Sequence, residues 1–118
     1  MKVNELRLGN WFFIPGLNRY VKVSAIFKTH FRCEDSDGIS FEESIRTNYQ
    51  PIPLTPEILV KAGFGQNGHF FNIRHLEYTL VSNRMWYKTK IIDKPLKYVH
   101  QLQNLYFALI GEELNIEL

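Results

Sequence analysis

Tyr98, Val99, Leu102, Leu105, Tyr106 and Leu109 recur at helical spacing. At about 100° per residue they fall on one side, which makes residues 98–111 an amphipathic helix. Gly111 follows, the residue best able to take the left-handed conformation that stops a helix. Such a helix has an apolar stripe that something must cover, so the chain is committed to at least a second packed layer.

With 118 residues the chain fits one domain, read here as 1–118 with a β part at 1–54 and a helix, hairpin and helix part at 55–118. Nine Phe, six Tyr and two Trp are a high aromatic content, which favours strands and interfaces. A formal charge of +2 is too small to mark the whole chain as a nucleic-acid binder. Cys33 is the only cysteine, so an intramolecular disulfide is excluded and a reducing cytoplasm is expected. The first seven residues carry no apolar run, and nowhere do eighteen apolar residues follow one another, so neither an export signal nor a membrane span is expected.

The first part reads as short strands separated by turn residues. Trp11-Phe12-Phe13-Ile14 precedes Pro15-Gly16-Leu17-Asn18. Over residues 20–25, alternation places Val21, Val23 and Ala25 on one face. Residues 31–34 and 39–42 pair around Asp35-Ser36-Asp37-Gly38, with Phe31, Cys33, Ile39 and Phe41 pointing inward. Four or five such strands, closed off by an irregular stretch at 44–53, suggest an SH3-like small β-barrel or a strongly curved sheet. Residues 55–62 then carry helix punctuation: Thr55 as N-cap, Pro56 at the first position, Gly63 after the end and Phe64 placed to touch Leu59.

A glycine-rich turn at 65–68 leads to a strand at 69–73 and a hairpin at 76–92. With Asn83-Arg84 as a two-residue loop, Leu76, Tyr78, Leu80, Tyr87, Thr89 and Ile91 share an apolar face on which the C-terminal helix packs. The other face carries Trp86, Lys88 and Lys90, with Glu77 opposite Lys90. The fold class expected is therefore α+β.

No motif carries catalysis. Asp35-Ser36-Asp37-Gly38 begins like a calcium loop but lacks the later bidentate acid and flanking helices, and it reads as a hairpin turn. His30, His69, His75 and His100 have no zinc spacing, and Cys33 alternates with core positions. Neither metal nor cofactor is expected, and the chain reads as no enzyme. Two surfaces remain. Residues 84–97 hold Arg84, Lys88, Lys90, Lys94 and Lys97 against Asp93 alone, and Trp86, Lys88 and Lys90 on one face would suit nucleic acid. On the polar side of the C-terminal helix, His100, Gln103 and Phe107 want cover. The favoured expectation is a second layer of the same chain, with His100, Gln101, Gln103 and Asn104 in buried hydrogen bonds, and the alternative is a candidate protein-interaction surface for a partner protein or a second copy.

Pro51-Ile52-Pro53-Leu54-Thr55-Pro56-Glu57, Gly63-Phe64 and above all the run from Tyr98 through Val99, His100, Gln101, Leu102, Gln103, Asn104, Leu105, Tyr106, Phe107 and Ala108 to Leu109 resemble a family of small proteins from Bacteroides-type bacteria, their phages and mobile elements. The opening at 5–11 is similar too. The resemblance implies a cytoplasmic accessory protein in a phage or mobile-element setting, and it carries no site residues over. The chain is thus expected to be a protein-interaction or self-association module, with a nucleic-acid-binding module as the alternative.

Overall fold

The computed structural model describes residues 7–44 and 49–118. Residues 1–6 and 45–48 lie outside it, and with them part of the 5–11 opening and of the 44–53 stretch. The chain forms two compact units, Met1–Ile52 and Pro53–Glu117. The fold is α+β, with one antiparallel sheet in each unit and a C-terminal helix in the second.

In the first unit the strands are β1 (Trp11–Ile14), β2 (Arg19–Ile26), β3 (His30–Asp35), β4 (Ser40–Ser44) and β5 (Gln50–Pro51), in the order β4-β3-β2-β1-β5. Alternation turns Phe12, Ile14, Val21, Val23, Phe31 and Cys33 inward, where they form a buried cluster with Tyr49 and the half-buried Phe41. Tyr49 meets Phe12 and Phe31 edge-on, with centroids 5.7 and 5.5 Å away. A bulge between Val23 and Ala25 interrupts the β2–β3 ladder. No pairing joins β4 to β5 among the described residues, so this sheet is open and no closed barrel is found.

The expected hairpin turn forms at Asp35–Gly38, closed by the Gly38 N–H donating to the Asp35 carbonyl at 3.0 Å. Gly38 takes φ +80°, which a side chain would resist. Ile39 does not point inward: it is 54% exposed. It lies one residue before β4 begins, and its N–H turns to Asp35 Oδ1, so the turn and not the strand sets its direction.

In the second unit, α1 (Pro56–Lys61) begins as its sequence requires, with Thr55 Oγ1 accepting from the Ile58 N–H at 3.2 Å. It ends in a full Schellman closure. The Phe64 N–H reaches the Leu59 carbonyl and the Gly63 N–H the Val60 carbonyl, each at 3.0 Å, with Gly63 at φ +97°. Next comes a meander of β6 (Gly65–Asn67), β7 (Phe70–Ile73), β8 (Leu76–Thr79), β9 (Arg84–Tyr87) and β10 (Lys90–Ile91), ordered β10-β9-β8-β7-β6.

The β8–β9 register differs from expectation. The loop is residues 80–83, not Asn83-Arg84, and Tyr78 stands opposite Met85 and Leu76 opposite Tyr87. Glu77 therefore faces Trp86 instead of Lys90. A second turn at Lys88-Thr89 ends β9 early, so Thr89 leaves the ladder and Ile91, on the opposite face from Tyr87, is 53% exposed. Leu76, Tyr78 and Met85 are the buried residues of this pair's inner face.

The helix α2 spans Val99–Ile110, with Tyr98 as N-cap and Gly111 at φ +83° as its stop. Gln101 Oε1 turns back to accept from the N–H groups of Lys97 and Tyr98, at 2.9 and 3.2 Å, which satisfies two donors at the helix start. Its buried residues are Val99, His100, Leu102, Gln103 and Tyr106. The buried arc is thus rotated from the expected stripe: it takes in His100 and Gln103 and leaves Leu105 and Leu109 half-buried.

Candidate functional site

Two concavities of the second unit hold the surfaces that a ligand can reach. The larger is a groove of about 630 Å³ between the chain leaving β10 and the flank of α2. Ile91, Ile92, Pro95, Leu96 and Leu105 line it, with the amides of Gln101 and Asn104 at its wall. The segment that forms its floor is held from below. Tyr78, fully buried on β8, donates its hydroxyl to the Leu96 carbonyl at 2.6 Å and lies 3.2 Å from Asn83 Oδ1. Burial pushes this phenol up to about 12, so it stays a donor. The Leu96 N–H in turn donates to the Asn83 carbonyl at 2.7 Å, and the Arg84 guanidinium donates to the Asp93 carbonyl. β10 is the last strand of its sheet, and Ile91 and Ile92, at its end, line the groove.

The smaller pocket, about 370 Å³, lies at one end of the same sheet between two neighbouring hairpin turns, Arg74-His75 and Lys88-Thr89. All four turn residues have positive φ, at 44°, 68°, 49° and 70°. Two-residue hairpin loops favour this conformation because it matches the strand twist, and they normally use Asn or Gly there. The Lys88 N–H donates to the His75 carbonyl at 3.0 Å, which ties the turns together. Trp86 forms one wall, and its ring centroid is 6.2 Å from that of Phe70.

The residues singled out from sequence are distributed differently from expectation. His100 and Gln103 are each 3% exposed, whereas Phe107 is 39% exposed, so these three do not present one surface. Tyr98 stacks on His100 with the rings 15° from parallel. Trp86 shares a sheet face with Glu77 and Ile91, Lys90 points from the opposite face opposite Tyr87, and Lys88 sits in a turn with its ammonium 5.3 Å from the Tyr87 centroid. Phe70 and Arg74 carry no signal of their own in the sequence, and His75 is read there only as a histidine without zinc spacing. The available cue was spacing: a two-residue interval between the runs 70–73 and 76–79.

Asp35, the best candidate for a hard-cation ligand, is engaged within its own turn. Its Oδ1 accepts from the N–H groups of Asp37 and Ile39, and its Oδ2 pairs with Arg19 at 2.6 Å. Desolvation pushes its pKa up, but those backbone donors and the Arg19 charge outweigh it and hold the carboxyl below the ordinary value. Cys33 is fully buried, and burial, reinforced by the charges of Glu43 and Asp35, pushes its thiol up to about 12. A thiol held protonated is a poor nucleophile. Among the described residues no cluster of three His, Cys, Asp or Glu is placed to hold a metal ion, and no helix is long and apolar enough to cross a membrane. No family model matches the chain, and neither the curated proteins nor the solved structures contain a match to it.

Proposed function

We propose that the chain is a non-enzymatic protein-interaction module that takes an extended apolar segment of a partner protein into the groove beside α2. One observation carries this reading: an apolar groove adjoins β10, the last strand of its sheet, so the same place offers a strand at a sheet edge and a bed for alternate side chains. Strand addition needs both, the first for affinity and the second for specificity. Among the described residues, three groups with clearly shifted pKa values, Cys33, Asp35 and Tyr78, lie outside the lining of both the groove and the turn pocket.

Within the first unit, a four-strand meander followed by a short fifth strand returning to β1, with a bulge that lets β2 bend, supports an SH3-like reading of the sheet. The resemblance carried by Pro51–Glu57 and the α2 sequence supports an accessory role in a phage or mobile-element setting, and the lone buried cysteine suits the cytoplasm.

The test is a display selection with random peptides on the immobilised chain, followed by anisotropy titration of the selected peptide. An extended apolar consensus is expected, with Leu105→Asp weakening it by about tenfold or more, roughly 1.4 kcal/mol. Lys61→Gln, on the exposed side of α1, should leave the affinity unchanged. A selection without consensus, or an affinity indifferent to Leu105→Asp, ends the reading. Dimerisation by light scattering that Leu105→Asp abolishes would assign the groove to a second copy.

A further inference from the structure

The two tied turns raise a separate question, because neither contains the Asn or Gly that their conformation favours. Left-handed backbone costs an ordinary residue about 1–2 kcal/mol, and Thr89 is β-branched, the type least at ease there. Four such residues stand at one end of one sheet, around a pocket. Strain of this kind persists where the surrounding structure over-determines it, and it clusters at ligand sites.

The side chains around the pocket have a consistent chemistry. On the sheet face beside it, the register places Phe70, Asn72, Glu77, Arg84 and Trp86 together. Phe70 is 41% exposed and Trp86 half-buried, so two rings stand at the surface with centroids 6.2 Å apart. Arg74 and Lys88 flank the pocket from its two turns. Residues 70–97 carry six cationic side chains against Glu77 and Asp93, although the whole chain has a net charge of only +2. Arg74 does pair with Glu112 at 3.3 Å, but both side chains are more than half exposed. A pair so exposed is screened by solvent and holds Arg74 only weakly.

We infer that this face binds single-stranded nucleic acid, with bases stacked on Phe70 and Trp86 and phosphates passing the turn end beside Arg74 and Lys88. Glu77 fixes the direction. It stands opposite Trp86 in the ladder, on the same face, and its charge repels a phosphate crossing the middle of the sheet, so the backbone keeps to the turns and the bases lie inward. A duplex hides the faces of its bases and gains nothing from the two rings, whereas a single strand can lay each base on one. This site is independent of the groove beside α2, and Leu105 plays no part in it.

Anisotropy of a labelled single strand of about 12 nucleotides, in DNA and RNA forms, tests the inference on the full chain across about 50–200 mM salt. Wild type is expected to bind at low salt with a dissociation constant below about 100 µM, and at least about tenfold more tightly than to the matching duplex. Trp86→Leu and Phe70→Ala should each weaken binding by about fivefold or more, given the usual worth of a base on an aromatic ring. Arg74→Gln and Lys88→Gln should each lower the salt slope by about 0.7, the value for one phosphate of a single strand. Lys28→Gln in the first unit is the control for net charge. Circular dichroism checks each variant for folding, and Phe70→Ala, altering a largely exposed ring, keeps the test alive if Trp86→Leu unfolds. No binding at low salt, equal binding of the duplex, or aromatic variants that bind like wild type would each overturn the proposal.

Discussion

The two sheets have five strands each and both are antiparallel, yet they turn their corners with different chemistry. In the first, Pro15-Gly16-Leu17-Asn18 and Asp35-Ser36-Asp37-Gly38 put Asn18 and Gly38 at the positive-φ positions. In the second, Gly68 and Asn83 do so in the β6–β7 and β8–β9 turns, but the turns at one end of the sheet ask Arg74, His75, Lys88 and Thr89 to do the same. The first sheet thus spends its glycine and asparagine where the backbone needs them, whereas the second does so at two turns and at the other two places long cationic and polar side chains at a conformational cost. A sheet that only had to fold would use the cheaper residues. The difference separates turns that serve the fold from turns that present side chains.

The sharpest way to break this comparison is through the second sheet's register. Met85 is fully buried opposite Tyr78, whereas Val81, in the loop, is 76% exposed. Met85→Ala should cost about 2–5 kcal/mol and Val81→Ala less than about 0.5 kcal/mol, read from urea midpoints. Similar losses at both positions would mean that the loop lies elsewhere.

Next in size is the turn exchange. Replacing Arg74-His75 or Lys88-Thr89 by Asn-Gly should stabilise the chain by about 1–2 kcal/mol, while Gly38→Ala in the first sheet should destabilise it by about 1 kcal/mol. The same melts on the Asn-Gly variants, run beside the anisotropy titration, should show stability gained as affinity for single strands falls. If Asn-Gly destabilises, the four residues are not strained.

The smallest effect is the pH response of the first sheet's turn. The Asp35 carboxyl titrates lower folded than unfolded, because its gains from backbone donors and Arg19 outweigh its desolvation. Between those two values the unfolded chain holds a proton that the folded chain does not, so stability rises with pH there. Its contribution is complete above about pH 4 and is lost as the pH falls through the folded value. Urea midpoints from acid to neutral pH should show this dependence in wild type and lose it in Asp35→Asn.

Punctuation accounts for what could be read from the sequence alone. Thr55, Pro56, Gly63 and Gly111 each act locally, so α1 begins and ends, and α2 ends, where those residues say. The core of the first sheet was legible because Val21, Val23, Phe31 and Cys33 alternate between well-marked turns. Ile39 misled because periodicity does not reveal where a turn releases the chain. The β8–β9 pairing differs by four residues from the expected one because the loop is residues 80–83, whose Leu80 and Val81 resemble strand, and Lys88 and Thr89, which also resemble strand, form a further turn. The buried arc of α2 was legible only as one of two alternatives, cover by the same chain or by a partner. His100 and Gln103 count as polar in any pattern, and only tertiary packing decides that they go inside.

The strand orders also carry a consequence in time. Every ladder of the second sheet joins sequence neighbours, so it can grow hairpin by hairpin, each closure spanning a few residues and taking on the order of microseconds. The first sheet cannot finish that way, because Phe12 of β1 waits for Pro51 of β5 at the far end of its unit. During synthesis the outer edge of β1 therefore stays open until nearly the whole first unit has been made, and the interval is set by translation, not by the speed of folding.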